Sequence, residues 1–360
     1  MIEQRQESKS MAEQQGSEVR VLIAEDSPTM RHHLVSVINA APGLRVVAEA
    51  RSGEEALEMV GDIKPDIISM DIRMPGIDGL EATRRIMAHH PTPVVVVSGL
   101  IEQEIDLSFQ ALQAGALAVV EKPLDRNDPG YATKQRHLIN TLIAMARVRV
   151  VRRWERLVDA PNGTHETVTQ RTTPEVIAIG ASAGGPSAMS VLLKELPDNF
   201  SVPILVTQHM PDEFIAGLAR WLNKSTPLRV EVASSGLDLE PGVVHLAPGS
   251  AHLAVTRQGE KLVTKLIRER GDHPHQPSVD VLFESVSKVC GSAAIGMVLT
   301  GMGSDGASGL LAMRDQGAMT YAQDEASCTV FGMPGAAIER GAVVRVLSLS
   351  NLATILAQVT

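Results

Sequence analysis

Residues 19–26 read VRVLIAED, a short apolar run that ends in two acids. VVAEA (46–50), DIISMD (66–71), PVVVVSG (93–99) and ALAVVEKP (116–123) follow at intervals. Amphipathic helical patterns separate these runs. Short β-rich runs alternating with helices indicate an α/β domain with a parallel sheet. All five runs precede Pro123, so they make one domain of ordinary size.

The chain is 360 residues long, which suggests two domains. It is 44% hydrophobic and 21% charged, as in an ordinary globular protein. Its only cysteines, Cys290 and Cys328, exclude a disulfide framework and fit a reducing compartment. Aromatics are 2%, so the cores must be aliphatic and a stacking platform for single-stranded nucleic acid has little raw material. A net charge of -9 disfavours a broad DNA footprint, and no nucleic-acid partner is expected. The polar N-terminus has no secretory pattern, and no apolar run is long enough to span a membrane. These features predict a cytoplasmic protein that is not an integral membrane protein, with residues 1–18 a disordered lead-in.

After Pro123 the turn-rich LDRNDPG leads into a helical stretch with an apolar stripe at Leu138, Leu142, Ile143 and Ala146. Its end is basic, with Arg147, Arg149, Arg152, Arg153 and Arg156. A packed terminal helix running into a solvated linker is preferred over a membrane-surface helix. The first domain is therefore 19–154 and the linker 155–173. From residue 174 to 360 a second alternation begins. VIAIG, PILVTQ, VVHLAP, HLAVT and AIGMVLTG are strand candidates, for a larger, doubly wound and mostly parallel α/β domain. VVHLAPGSAHLAVTRQGEKLVTKL reads as strand–turn–strand, so part of that sheet is expected to be antiparallel.

In the first domain the first run ends at Glu25 and Asp26, the third at Asp71, the fourth at Ser98 and the fifth at Lys122. Open parallel sheets bind ligands beyond the carboxyl ends of their strands, at the switch point. In the flavodoxin-like order the first and third strands are neighbours, so the carboxylates share one crevice. Clustered carboxylates raise one another's pKa, and a hard cation relieves the repulsion. Mg²⁺ suits such a site when it also takes a phosphate. Lys122 can neutralise phosphoryl oxygens, and Asp71 is the expected nucleophile. Acids merely facing solvent are the plain alternative for any one residue, but the whole set at successive strand ends argues for a pocket.

These motifs resemble the receiver domain of two-component response regulators: EDS, DIRMPGIDG at Asp71, VVVVSG at Ser98 and EKP at Lys122. The resemblance implies that Asp71 accepts phosphate from a histidine kinase. Glu25, Asp26 and Asp71 would hold Mg²⁺ with the backbone carbonyl of Arg73, while Ser98 and Lys122 contact the phosphoryl group. Glu25 stands where many receivers have Asp.

In the second domain VIAIG runs into Ala181-Ser182-Ala183-Gly184-Gly185-Pro186 and then a helical pattern. Residues 180–184 match G-x-S-x-G, the nucleophile elbow of hydrolases. Alone, the motif fits a phosphate-cradling loop or a plain tight turn equally well. His209 follows PILVTQ, and Asp305 follows AIGMVLTG. Ser182, His209 and Asp305 therefore fall at one sheet edge, as a Ser-His-Asp triad requires. The order Ser…His…Asp differs from the usual α/β-hydrolase order. Glycines around Asp305 allow close backbone approach, and the Met302 N–H is a candidate oxyanion donor. Asp272-His273-Pro274-His275 lacks a standard zinc spacing, and Cys328 is read as structural.

IGASAGGPSAM, TQHMP, HQPSVDVLF, VLTGMGSDGASGL and AQDEASCTVFGMP together resemble the catalytic domain of chemotaxis-type protein-glutamate methylesterases, the CheB family. The resemblance implies Ser182 as nucleophile, His209 as base and Asp305 as its orienter. The substrate would be glutamyl methyl esters on methyl-accepting chemoreceptors, with glutamine deamidation as related chemistry. The esterase site would need no cofactor. In the expected resting state the receiver covers the catalytic face, and phosphorylation opens it. Ala183 and Gln276 depart from residues common in the family, Thr or Ser and Arg respectively. A phospho-dependent adaptor with a vestigial catalytic domain, and a receiver-linked DNA regulator, are the competing classes.

Overall fold

A computed structural model describes residues 18–99, 102–124, 128, 130–148, 150 and 174–359. The lead-in up to residue 17, the linker at 155–173 and Arg149, Arg152, Arg153 and Arg156 lie outside the described residues. The chain forms two compact units.

The first unit is built on a parallel sheet in the order β2-β1-β3-β4-β5. The strands are β1 (Val19–Ala24), β2 (Leu44–Ala50), β3 (Ile67–Met70), β4 (Val94–Ser98) and β5 (Ala118–Glu121). Val21, Leu22, Ile23, Ile67, Ile68 and Val94–Val96 are fully buried. Such unbroken apolar runs are what a parallel sheet covered on both faces demands. Helices start where short polar side chains cap them: Ser27 accepts from Met30 N at 3.4 Å and starts α1 (Pro28–Asn39). Ser52 starts α2 (Gly53–Ile63), and Asp78 accepts from Glu81 N at 2.8 Å to start α3 (Gly79–His89). Helix α5 (Tyr131–Met145) follows β5; α4 (Glu102–Ala114) follows β4 in the chain, and its residues through Leu112 are grouped with the second unit. In α5 the buried stripe is Leu138, Thr141, Leu142 and Met145. Ile143 and Ala146, expected on that stripe, are only partly buried, because the α-helical turn places Thr141 and Met145 beside Leu138 and Leu142.

The second unit has a seven-stranded sheet, ordered β14-β13-β12-β6-β7-β9-β8. Its strands are β6 (Val176–Ala181), β7 (Ile204–Gln208), β8 (Arg229–Val232), β9 (Val243–Leu246), β12 (Ala294–Val298), β13 (Met319–Gln323) and β14 (Arg345–Leu347). Every pairing in it is parallel. The expected antiparallel portion is instead a separate hairpin of β10 (His252–Gln258) and β11 (Lys261–Ile267). Only β9 of the strand–turn–strand stretch joins the main sheet, because β10 pairs wholly with β11. The helices are α6 (Gly185–Lys194), α7 (Asp212–Ser225), α8 (Val279–Cys290), α9 (Ala307–Asp315), α10 (Met333–Glu339) and α11 (Leu349–Ala357).

The chain starts this sheet in the middle, at β6, runs outward to β8, and later returns to β12 on the other side of β6. The order reverses between β6 and β12, and that reversal opens a crevice at the strands' carboxyl ends. The first unit has the same kind of reversal between β1 and β3.

Candidate functional site

In the first unit the register itself assembles an acidic pocket. Ala24 pairs with Met70, so Glu25 and Asp71 leave adjacent strands at the same level. The backbone fixes them there: Glu25 N donates to Ala50 O at 3.0 Å and Asp71 N to Ala24 O at 2.8 Å. Glu25 and Asp71 are buried, while Asp26 is exposed at the mouth. Lys122 Nζ lies 2.8 Å from Asp71 Oδ1 and 3.0 Å from Glu25 Oε2. Ser98 ends β4 fully buried, and its hydroxyl lies 3.3 Å from Gly99 O. Gly79 lets α3 start against this pocket: its N–H donates to Ile72 O at 2.9 Å, and a Cβ there would sit 1.9 Å from the carbonyl oxygen of Asp71.

Burial, reinforced by the negative charge of Asp71, pushes the Glu25 carboxyl up to about 7. Burial also raises Asp71, against the pull of Lys122 and the N–H groups of Ile72 and Arg73. The Ile72 N–H reaches Asp71 Oδ1 at 2.8 Å. For Lys122, burial alone would disfavour the ammonium, but Asp71 and Glu25 outweigh it and raise its pKa.

A hard divalent cation fits this donor set. Glu25, Asp26 and Asp71 each offer an oxygen within 4.8 Å of the others. Glu25 Oε2 is fully buried, and its ion contact with Lys122 is not aligned as a hydrogen bond. Few carboxylates with room for water is the arrangement Mg²⁺ prefers.

In the second unit Ser182, His209 and Asp305 follow β6, β7 and β12. Ala181 pairs with Gln208, so Ser182 and His209 leave neighbouring strands together. His209 N donates to Ala181 O at 3.1 Å, and Ser182 N donates to Thr300 O at 3.1 Å. His209 Nε2 lies 2.7 Å from Asp305 Oδ2. Asp305 also accepts from Val279 N at 2.7 Å, Ser278 Oγ at 2.9 Å and Asp280 N at 3.0 Å. Burial alone would raise this carboxyl; the His209 hydrogen bond and the N–H groups of Val279 and Asp280 prevail and hold it well below the usual carboxylate range. An ionised carboxylate only accepts, so His209 Nε2 carries a proton, and in the neutral ring Nδ1 is the acceptor. Among the described residues Ser182 Oγ makes no hydrogen bond to His209, so the loop and strand pairing, not a direct bond, bring the serine to the base. Such bonds commonly tighten only when substrate binds.

The serine loop is held through its carbonyls. Gln208 Nε2 donates to Ser182 O at 2.9 Å, and Thr300 Oγ1 donates to Ala183 O at 2.9 Å. Buried Gln323 in turn accepts from Thr300 N at 2.9 Å. Gly184 has φ +78°, and a Cβ there would lie 2.5 Å from the Thr329 side chain. Glycine is required by both the left-handed backbone and the close approach. Met302, three residues before Asp305, is half-buried, and no hydrogen bond uses its N–H or that of Ala183 among the described residues. Ser278, Gln208, Thr300 and His252 went unrecognised as site residues. Only the motifs containing the first three hinted at them, since their roles depend on contacts between distant segments.

Cys328, read from the sequence as structural, is half-buried after β13. Burial pushes its thiol up to about 12, and that of Cys290 to about 11.

Fold and site define a class: a doubly wound α/β hydrolytic enzyme domain, preceded by a flavodoxin-like receiver. The family model described as CheB methylesterase matches residues 177–356, and that for the response regulator receiver domain matches residues 21–129. The chain therefore belongs to the CheB methylesterase family. It is 46% identical over 339 residues to protein-glutamate methylesterase/protein-glutamine glutaminase 4 of Myxococcus xanthus, covering 93% of this chain and 95% of that one. It is 43% identical to protein-glutamate methylesterase/protein-glutamine glutaminase 1 of Syntrophus aciditrophicus, covering 94% and 97%. The crystal structure of the Thermotoga maritima CheB methylesterase catalytic domain matches with a TM-score of 0.51 and 34% identity, over 52% of this chain and 100% of that one.

Proposed function

We propose that this chain hydrolyses glutamyl methyl esters on methyl-accepting chemoreceptors in the cytoplasm, and that phosphorylation of Asp71 by a chemotaxis-type histidine kinase raises its rate. The observation that carries the esterase reading is the 2.7 Å bond from His209 to an Asp305 whose other partners are all donors. With Nε2 so engaged, Nδ1 accepts the Ser182 proton as Oγ attacks the ester carbonyl. The Asp305 charge stabilises the imidazolium that forms. The unused N–H groups of Met302 and Ala183 are suited to the developing oxyanion. Collapse expels methoxide, which takes the proton from His209 and leaves as methanol. Water then attacks the acyl-enzyme, His209 again taking its proton, and glutamate and free Ser182 are regenerated. A glutamine side chain follows the same course with ammonia as the leaving group.

In the receiver, Glu25, Asp26, Asp71 and the Arg73 carbonyl would hold Mg²⁺, which when bound supplies charge neutralisation for an incoming phosphoryl group. Lys122 offers a second positive charge beside Asp71, and Ser98 a hydroxyl at the neighbouring strand end. No helix among the described residues is long and apolar enough to cross a membrane.

Methanol release from methylated chemoreceptor fragments, with and without a small phosphodonor, tests this reading. Ser182→Ala should abolish release, and retained release would overturn the triad. A rate indifferent to the phosphodonor, or to Asp71→Asn in its presence, would overturn activation by phosphorylation.

A further inference from the structure

The segment between β11 and α8 is tied down at several points, though it contains no regular element. Arg270 Nε donates to His273 O at 3.3 Å and Nη2 donates to Pro274 O at 2.6 Å. Gln276 Nε2 donates to Arg268 O at 2.9 Å. Buried His252 accepts from Ser278 N at Nδ1, at 3.0 Å. Its Nε2 therefore carries the proton and lies 3.3 Å from Arg270 O. These bonds deliver one exposed side chain, His275, to the base. The His275 and His209 rings lie 4.4 Å apart between centroids and are inclined by only 19°.

Among the described residues the His209 ring makes one hydrogen bond, at Nε2. That bond and the Cβ–Cγ tether restrain the ring, but a small turn about Cβ–Cγ still strains the bond only modestly while it moves Nδ1. A flat ring stacked on its face removes that freedom. We propose that His275 is a positioning residue for the base, holding the plane of the His209 ring so that Nδ1 keeps one orientation through turnover. This rests on the reading of Ser182, His209 and Asp305 as the triad. Partial desolvation of the ring, and then the charge of His209, lower the pKa of His275. That direction favours a neutral His275 ring, whose π-face is available to an imidazolium at His209.

The test uses the full chain with His275→Ala and His275→Phe, Phe keeping a flat ring without the imidazole nitrogens. The readouts are kcat and KM for methanol release from methylated chemoreceptor fragments, and the rate at which a fluorophosphonate labels Ser182. His275→Ala should lower kcat and the labelling rate together by about tenfold or more, with KM little changed, as expected when a reacting group is misplaced. His275→Phe should recover most of both rates. An unchanged kcat in His275→Ala, a loss confined to KM, or no recovery with Phe would overturn the proposal. Failure of the triad reading looks different: there the wild-type chain itself neither labels nor releases methanol.

Discussion

Ser278 Oγ donates to Asp305 Oδ1 at 2.9 Å, on the carboxylate oxygen opposite the one that holds His209. The same residue's N–H reaches His252, so one position links the triad carboxylate to a buried histidine outside it. A hydrogen bond to a charged group contributes about 1.5–3 kcal/mol. Ser278→Ala should cost about 1–2 kcal/mol of stability in denaturant unfolding and lower kcat by about tenfold or less, because the N–H groups of Val279 and Asp280 still hold Asp305. Methanol release and an unfolding curve on the same preparation check both effects.

Thr300 Oγ1 holds the serine loop by donating to Ala183 O, and it also accepts from Val330 N at 2.9 Å. Thr300→Val keeps the shape but leaves the Val330 N–H without that acceptor, which costs about 1–3 kcal/mol. The expected result is a destabilised enzyme with slower fluorophosphonate labelling of Ser182. Full labelling at an unchanged unfolding midpoint would show that the loop needs no such tie.

Glu25 makes the receiver sensitive to pH. Its carboxyl is pushed from 4.5 in a free side chain to about 7 in the fold. A raised folded pKa means that the neutral form favours the native state. That contribution is complete below about 4.5 and is lost as pH rises through about 7. A divalent cation needs the ionised carboxylate, so protons and metal compete. Mg²⁺ should therefore raise the melting temperature of the receiver transition more at about pH 8 than at about pH 5.5. Glu25→Gln should flatten this dependence and weaken Mg²⁺ binding, both measurable by thermal titration.

Cys328 lies in a motif that helps shape the serine loop, yet its thiol is pushed up to about 12 by burial. A thiol needs its thiolate to react. Iodoacetamide near neutral pH should leave esterase activity unchanged, and Cys328→Ala should retain turnover with at most a modest loss of stability. Rapid inactivation by the reagent, with protection in the variant, would place the cysteine in the chemistry.

Periodicity made much of the architecture legible. Runs such as VRVLIAED and VIAIG are short, aliphatic and bounded by turns, so they announce buried parallel strands. Strand β8 escaped notice because RVEV alternates and is short, β13 because MTYAQ mixes Thr and Gln with its apolar residues, and β14 because RVL is shorter still. The hairpin was misplaced into the main sheet because pairing partners are not written in a strand's own residues. At the site, the polar residues ending strands were visible at once, since they interrupt apolar runs at the edge where parallel sheets bind ligands.

By itself the sequence determined which residues could do chemistry: Asp71 among acids at successive strand ends, and Ser182, His209 and Asp305 after three apolar runs. It also showed a glycine-rich turn after β6 that matches G-x-S-x-G, while the left-handed backbone of Gly184 became visible only in the fold. Tertiary structure alone decided how those groups are held. Register set Glu25 against Asp71, His209 and the N–H groups of Val279 and Asp280 gathered as donors on Asp305, and a loop from the hairpin laid His275 on His209. The physical reason is that propensity and pattern act over a few residues. Desolvation, hydrogen-bond direction and ring stacking depend on what distant segments bring within a few ångströms.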